Sequence, residues 1–81
     1  MVNSEKISTA WEKIRPHVVR TPVMQTDVFG PSLALKLEHI QHTGSFKARG
    51  AMNSLLSMDV PNSGLVAASG GNHGAAVAWA A

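Results

Sequence analysis

Apolar side chains recur at spacings of four and three near the start of the chain, at Ile7, Trp11 and Ile14. This period is typical of an amphipathic helix and predicts one over residues 4–14. The following stretch, VVRTPVMQTDVFGPS, contains two prolines and a glycine. We therefore expect extended and looping backbone there, with PVMQT as at best a short strand.

A strict alternation of leucines with small or charged residues follows in LALKLE, residues 33–38. A period of two predicts a half-buried strand. The next segment, SFKARGAMNSLLS, predicts a helix over residues 45–57 with Ala51, Leu55 and Met58 facing inward.

The last part of the chain repeats the order of strand and helix. LVAAS, residues 65–69, predicts a short buried strand, and GGNHG then opens a helix that runs through AAVAWAA. Strands that alternate with helices indicate an α/β fold with a parallel sheet. Trp11 and Trp79 stand among apolar neighbours at helical spacing, so we expect both in the core.

Composition excludes several classes of function. The chain has 81 residues and a formal net charge of +2, too small and scattered for binding nucleic acid or a membrane surface. The absence of cysteine excludes a disulfide framework and a thiolate zinc site, and it favours a reducing, cytoplasmic setting. No signal peptide and no run of about 18 apolar residues is present. His39 and His42 have only Glu38 as a nearby acidic residue, so no metal site is predicted.

Two strand-to-helix junctions stand out, TGSFKARG at residues 43–50 and SGGNHG at residues 69–74. In open α/β sheets, ligands bind near such junctions. The first places Lys47 in an initial helical turn, where the helix dipole makes a cation mildly unfavourable, so Lys47 is either incidental surface or chemistry. The glycines of the second allow backbone to approach a ligand closely. Taken singly, each junction is a weak signal.

The ordered set of motifs is more specific. RTPV at residues 20–23, KLEHIQHTGSFKARGA at 36–51 and, 25 residues after Lys47, Asn72 within GGNHG together resemble the fold-type II pyridoxal-phosphate (PLP) enzymes. The resemblance is closest to the threonine and serine dehydratases and the related serine racemases. It implies the α/β fold of the tryptophan synthase β-like enzymes, with parallel strands and flanking helices.

The resemblance also implies roles for individual residues. Lys47 would form the Schiff base with PLP and later remove the substrate Cα proton, which requires a neutral amine. Phe46 would flank the cofactor ring, and the amide of Asn72 would meet the cofactor 3′-oxygen. Arg49 would anchor its helix by pairing. The cradle for the substrate carboxylate would consist of Ser69, Gly70, Gly71, Asn72, His73 and Gly74.

The reaction that the resemblance implies is β-elimination from a small hydroxy amino acid, the work of a lyase of amino-acid metabolism. Threonine or serine would yield a 2-oxo acid and ammonia. The family's racemases resemble SSGNHG, with a serine where this chain has Gly70, and Ser69 stands one residue earlier. Racemisation needs proton donors on both faces of the substrate, so we expect a threonine/serine ammonia-lyase, with a serine racemase as the alternative.

The final helix reaches Ala81 without a capping glycine or a basic last turn, which indicates a chain cut from a larger, homo-oligomeric enzyme. Residues 1–60 would belong to its large cofactor-binding domain, and residues 61–81 would open a second, smaller α/β domain. The phosphate-binding loop and the group facing the pyridine nitrogen would follow Ala81, so these residues alone would be inactive.

Two other classes of function remain open from the residues. Ser69, Gly71 and Gly74 match G-x-G-x-x-G at two of its three glycines, as a dinucleotide-binding domain would. That interpretation leaves TGSFKARG unexplained. A non-catalytic interaction fragment is the other alternative.

Overall fold

The computed structural model describes all 81 residues, which form three α-helices and a two-stranded sheet. The elements are α1 (Ser4–Ile14), β1 (Val23–Thr26), β2 (Leu33–Lys36), α2 (Lys47–Leu56) and α3 (Asn72–Ala80). Two short 3-10 turns, Glu38–Ile40 and His42–Gly44, connect β2 to α2. No helix has the length and apolar character that crossing a membrane would require.

The first helix forms where its apolar period predicts. Asn3 caps it, because its side-chain oxygen accepts a hydrogen bond of 2.8 Å from the backbone N–H of Lys6. Ile14 is buried and packs at the end of the helix, whereas Ile7 is 60% exposed. Only the C-terminal part of the predicted stripe is therefore covered in this chain.

The sheet differs from the predicted parallel one. β1 and β2 pair antiparallel, with Val23 opposite Lys36 and Thr26 opposite Leu33. The connection over residues 27–32 explains this arrangement, since a parallel pair needs a crossover of about a dozen residues or more. It turns at Gly30, whose φ of 116° suits glycine.

The predicted strand at residues 65–69 is not formed. The segment is extended, but the sheet contains β1 and β2 alone, so no neighbour completes a ladder of hydrogen bonds. Val66, which we expected to be buried, is fully exposed. The prediction was wrong for these residues because a strand depends on its partner as well as on its own apolar pattern.

A small apolar core lies where α2 packs against α1 and α3. Ala48 and Ala76 have no exposed surface, and small side chains at these positions let α2 and α3 approach closely. Of the residues predicted to face inward on α2, Ala51 is buried, Leu55 is half-buried and Met58 is exposed. The buried apolar residues are Ile14, Ala48, Ala51, Met52 and Ala76.

A polar network joins the chain before β1 to the turns after β2. The carboxylate of Glu38 accepts hydrogen bonds from Nε and Nη2 of Arg49 and from the hydroxyl of Thr21. Nζ of Lys36 donates to the hydroxyl and carbonyl oxygens of Thr21. The predicted anchoring role of Arg49 through pairing is therefore seen, with Glu38 as its partner.

The network lowers the pKa of Glu38 from 4.5 to about 2. The largest cause is the hydrogen bond from Arg49, and burial of the carboxyl opposes it. The hydrogen bond from Thr21 and the positive charge of Lys36 also lower this pKa. Glu38 therefore stays ionised in the folded protein at any pH where the fold is stable.

Acid unfolding tests the energetic role of Glu38. A carboxyl with a depressed folded pKa stabilises the fold above its unfolded pKa and loses that contribution as the pH falls through the folded value. The contribution of Glu38 should be complete above pH 4.5 and disappear towards about pH 2. In urea unfolding of the full-length protein, Glu38→Gln should lower the free energy of unfolding at pH 7 by about 1–3 kcal/mol.

That deficit should shrink as the pH is lowered, because the wild-type carboxyl then also becomes neutral. Glu12→Gln is the matched control, since Glu12 forms an exposed ion pair with Arg15. It should change the free energy of unfolding by less than about 1 kcal/mol. A deficit for Glu38→Gln that is the same at pH 3 and pH 7 would show that its charge does not stabilise the fold.

Candidate active site

Lys47 is the first residue of α2 and is exposed to solvent, in the first helical turn as predicted. Its backbone N–H lies 3.4 Å from Oγ of Ser45, and its Nζ lies 5.2 Å from the centre of the Phe46 ring. A cation over an aromatic face is held by the ring quadrupole. Phe46 and Lys47 thus form a pair of aromatic ring and amine at the start of the helix.

The turn that leads into Lys47 has unusual backbone. Thr43 has a φ of 64° and Gly44 a φ of 78°, both in the left-handed region. Glycine adopts this region freely, but a β-branched residue rarely does, at a cost of about 1–3 kcal/mol. Backbone of this kind persists only where the surrounding contacts hold it, and such positions cluster at functional sites.

The start of α3 is open. Gly71 stands at the N-cap position without a side-chain cap, and its N–H donates to Oγ of Ser69 over 3.2 Å. Neither Gly70 nor Gly71 has a φ in the left-handed region, and an added Cβ would meet no atom within 4 Å at either position. These two glycines therefore leave free space in front of the helix rather than satisfying a backbone constraint.

A cavity of about 620 Å³ opens between α2, α3 and the extended segment at residues 65–68. Its walls are mostly hydrophobic, and Phe46, Lys47 and His73 line it. The structure therefore brings these three predicted site residues together. The remaining predicted residues do not line this cavity, although they flank His73 along the chain: Ser69, Gly70, Gly71, Asn72 and Gly74.

Both tryptophans have polar partners, which corrects the prediction that they belong to the core. The guanidinium of Arg49 lies 5.7 Å from the ring centre of Trp11. Trp79 stacks on His42, with ring centres 4.9 Å apart and planes 26° apart. Both indoles are half-buried. The second stack ties the turn before Lys47 to the end of α3.

Gln41 was missed by sequence reasoning. It is 4% exposed, and its side-chain amide pairs with the backbone of Val19 on both sides, donating to the carbonyl oxygen at 2.7 Å and accepting from the N–H at 2.8 Å. Its oxygen also accepts from the N–H of His42 at 3.0 Å. A buried glutamine in a loop has no periodic signal, so only its tertiary partner reveals its role.

The histidines do not form a metal site. No group of three or more His, Asp or Glu side chains in the structure could hold a metal ion. His39 and His42 occupy successive 3-10 turns, and His42 stacks on Trp79.

Comparison with known proteins identifies related sequences. Residues 14–81 match the model of a family described as "Pyridoxal-phosphate dependent enzyme". A putative threonine dehydratase of Sinorhizobium fredii is 47% identical over 83 residues, which cover 95% of this chain and 25% of that protein. A serine racemase of Arabidopsis thaliana is 42% identical, with 93% of this chain and 24% of that protein covered.

Solved structures agree with these relatives. Maize serine racemase has a TM-score of 0.86 and 42% identity over 98% of this chain and 27% of its own. A bacterial-type threonine deaminase, that of T.th., has the same TM-score and identity, with 30% of its own chain covered. The present chain is similar to these folds throughout, and it spans about a quarter of the length of the curated relatives that it matches.

Matched substitutions at two glycines test the geometry of the two junctions. Gly44→Ala should lower the free energy of unfolding of the full-length protein by about 1–2 kcal/mol, because its φ of 78° is left-handed. Gly70→Ala should change it by less than about 1 kcal/mol in either direction, because residue 70 has open space and an ordinary φ. Urea unfolding measures both, and equal losses would contradict the assigned backbone of one of the two loops.

Proposed function

Because this chain belongs to the family of pyridoxal-phosphate-dependent enzymes, we propose that the full-length protein eliminates the β-hydroxyl of L-threonine or L-serine and releases a 2-oxo acid and ammonia. The observation that carries the proposal is the position of Lys47, exposed at the start of α2 and on the wall of the cavity. The family membership also leaves the dinucleotide-binding alternative without support.

The residues present fit this cofactor. PLP carries an aldehyde, which needs an accessible primary amine, and Lys47 offers one beside the ring of Phe46. The volume of the cavity, about 620 Å³, falls within the range of about 300–1,000 Å³ that is usual for small-molecule sites. Neither α2 nor α3 has a side-chain cap at its start, so backbone N–H groups there can meet anionic groups.

Each residue of the chain has a role in the proposed reaction. Lys47 would bind the cofactor through Nζ, Phe46 would flank it, and the amide of Asn72 would hold its 3′-oxygen. When bound, the cofactor supplies a sink for the electrons of the broken Cα–H bond. Lys47, as the neutral amine, would then accept the Cα proton as a general base.

The start of α3 suits the substrate carboxylate. The free space in front of Gly70 and Gly71 lets a carboxylate approach the backbone N–H groups without meeting a Cβ. Ser69 and His73 stand on either side of this stretch, and His73 lines the same cavity as Lys47. This arrangement would place the substrate Cα within reach of one base.

Residue 70 favours elimination over racemisation. Elimination needs a base on one face of the substrate, whereas racemisation needs a second proton donor on the other face. Gly70 has no side chain to supply it. The hydroxyl of Ser69 accepts a hydrogen bond from the N–H of Gly71, and a Cβ at residue 74 would lie only 3.5 Å from the Cβ of Ser69. Ser69 is thus held within the turn, which supports an ammonia-lyase among relatives that bear both names.

The role of Lys47 is tested by cofactor attachment in the full-length protein. With PLP, the wild type should absorb visible light, and borohydride should fix the cofactor on the peptide that contains Lys47. Lys47→Ala should lose the visible band and reduce 2-oxo acid formation by about 10²- to 10⁴-fold, because the amine serves both tasks. Lys6→Ala, at an exposed position of α1, is the control and should match the wild type. A Lys47→Ala protein that keeps the visible band would refute the assignment.

The choice of reaction is tested by following two products together. Incubated with L-serine, the full-length enzyme should form pyruvate much faster than D-serine, because residue 70 offers no second proton donor. Gly70→Ser should raise the fraction of D-serine, since the structure has room for its side chain. If D-serine dominates with the wild type, another group supplies the second face and the enzyme is a racemase.

A further inference from the structure

The proposed reaction leaves several polar residues of the recognised motifs without a task. None of them lines the cavity with Lys47, yet they contact one another. They are Thr21, Lys36, Glu38, Gln41 and Arg49. Their contacts connect the chain before β1, the turns after β2 and the first turns of α2.

The centre of the network is the ion pair between Glu38 and Arg49. Nε and Nη2 of Arg49 both donate to the carboxylate, the second over 3.2 Å, so the guanidinium approaches as a fork. The two side chains are only 25% and 14% exposed, for Arg49 and Glu38 respectively. A two-point contact between shielded groups fixes the orientation as well as the distance of the partners.

A second contact secures the same region. Gln41 pairs with both backbone groups of Val19, and Nη2 of Arg49 lies 3.5 Å from the carbonyl oxygen of Val19. Thr21, two residues further on, donates to Glu38. The segment at residues 19–21 is therefore the common base to which the turn before Lys47 and the helix after it are both attached.

Helix geometry relates Arg49 to Lys47. Residues two positions apart in an α-helix differ by about 200° around its axis, so their side chains leave on nearly opposite sides. Arg49 points to Glu38 and Trp11, and Lys47 lines the cavity. Fixing Arg49 therefore fixes the rotation of α2 and the direction in which Lys47 leaves it.

The strained turn makes such support necessary. Thr43 and Gly44 adopt left-handed backbone between Gln41 on one side and Lys47 on the other. Strained backbone relaxes unless it is held at both ends. Gln41 holds the first end against Val19, and Arg49 holds the second end through Glu38.

We infer that Glu38 and Arg49 are positioning residues for Lys47, and that their ion pair sets the start and rotation of α2 so that the amine meets the cofactor aldehyde in a productive position. The inference rests on the proposed function. Neither residue touches the cofactor or substrate in this arrangement. Their effect reaches the reaction through the backbone of α2.

The test measures attachment of the cofactor to Lys47, which does not depend on turnover. Full-length protein freed of cofactor is mixed with PLP at a temperature where circular dichroism shows every variant folded, and the borohydride-fixed fraction on the Lys47 peptide is followed in time. Glu38→Gln should slow fixation by about 10- to 100-fold, because small displacements of a reacting group have effects of this size. Arg49→Lys should fall between Glu38→Gln and the wild type, since it keeps the charge and loses the fork.

Two comparisons separate positioning from a general loss of stability. Glu12→Gln removes an exposed ion pair on α1 and should leave the fixation rate unchanged. The double variant Glu38→Gln with Arg49→Lys should be no slower than Glu38→Gln alone, because both changes break one interaction. A folded Glu38→Gln protein that fixes the cofactor at the wild-type rate, or a double variant in which the two effects multiply, would overturn the inference.

A milder variant covers the case in which Glu38→Gln does not fold. Thr21→Val removes one hydrogen bond to Glu38 and leaves the ion pair, so it should slow fixation by about 2- to 10-fold. An unchanged rate would count against the network. If the wild type itself attaches no cofactor to Lys47, the proposed function fails and the inference fails with it, whereas a normal wild type with unaffected variants refutes the inference alone.

Discussion

The ion pair of Glu38 and Arg49 is the contact on which the arrangement of this chain depends. It joins segments that share no strand ladder or helix, and Thr21, Lys36 and Gln41 extend it to the backbone before β1. The apolar core consists of only five buried side chains, four of them on α2 and α3. Because so little apolar surface is buried within these residues, directional polar contacts must define how the turns and α2 meet. Removal of one partner would leave the other charged and shielded from water, which makes such a pair costly to break.

The site follows from two helix starts and the small residues between the helices. Ala48 and Ala76 allow α2 and α3 to pack closely, and this contact places Lys47 and His73 on one cavity. A strained turn delivers Lys47, and an uncapped glycine stretch opens α3. Amine, aromatic ring and open backbone N–H groups are the features that a carbonyl cofactor with an anionic substrate requires. The chemistry is thus prepared by backbone placement more than by any unusual side chain.

Family membership establishes the cofactor more firmly than the reaction. The relatives include threonine dehydratases, an ammonia-lyase and serine racemases at similar identity, all matched over about a quarter of their length. A shared fold can host several reactions, and the difference lies in the groups that face the substrate. In this chain the relevant difference is the missing side chain at residue 70, beside a serine that is already hydrogen-bonded within its turn.

The sequence by itself determined the three helices to within two residues of their ends, the two short strands, the place of Lys47 in the first turn of α2 and the family. Helices depend on contacts three or four residues apart, so their period and caps are visible in the residues themselves. Tertiary structure alone decided that β1 and β2 pair antiparallel, that residues 65–69 lack a ladder, and that Trp11 and Trp79 meet Arg49 and His42. It also decided the partner of Gln41, which lies 22 residues away at Val19. Such contacts join distant positions that no local pattern relates, and their energy depends on which groups the folded backbone brings together.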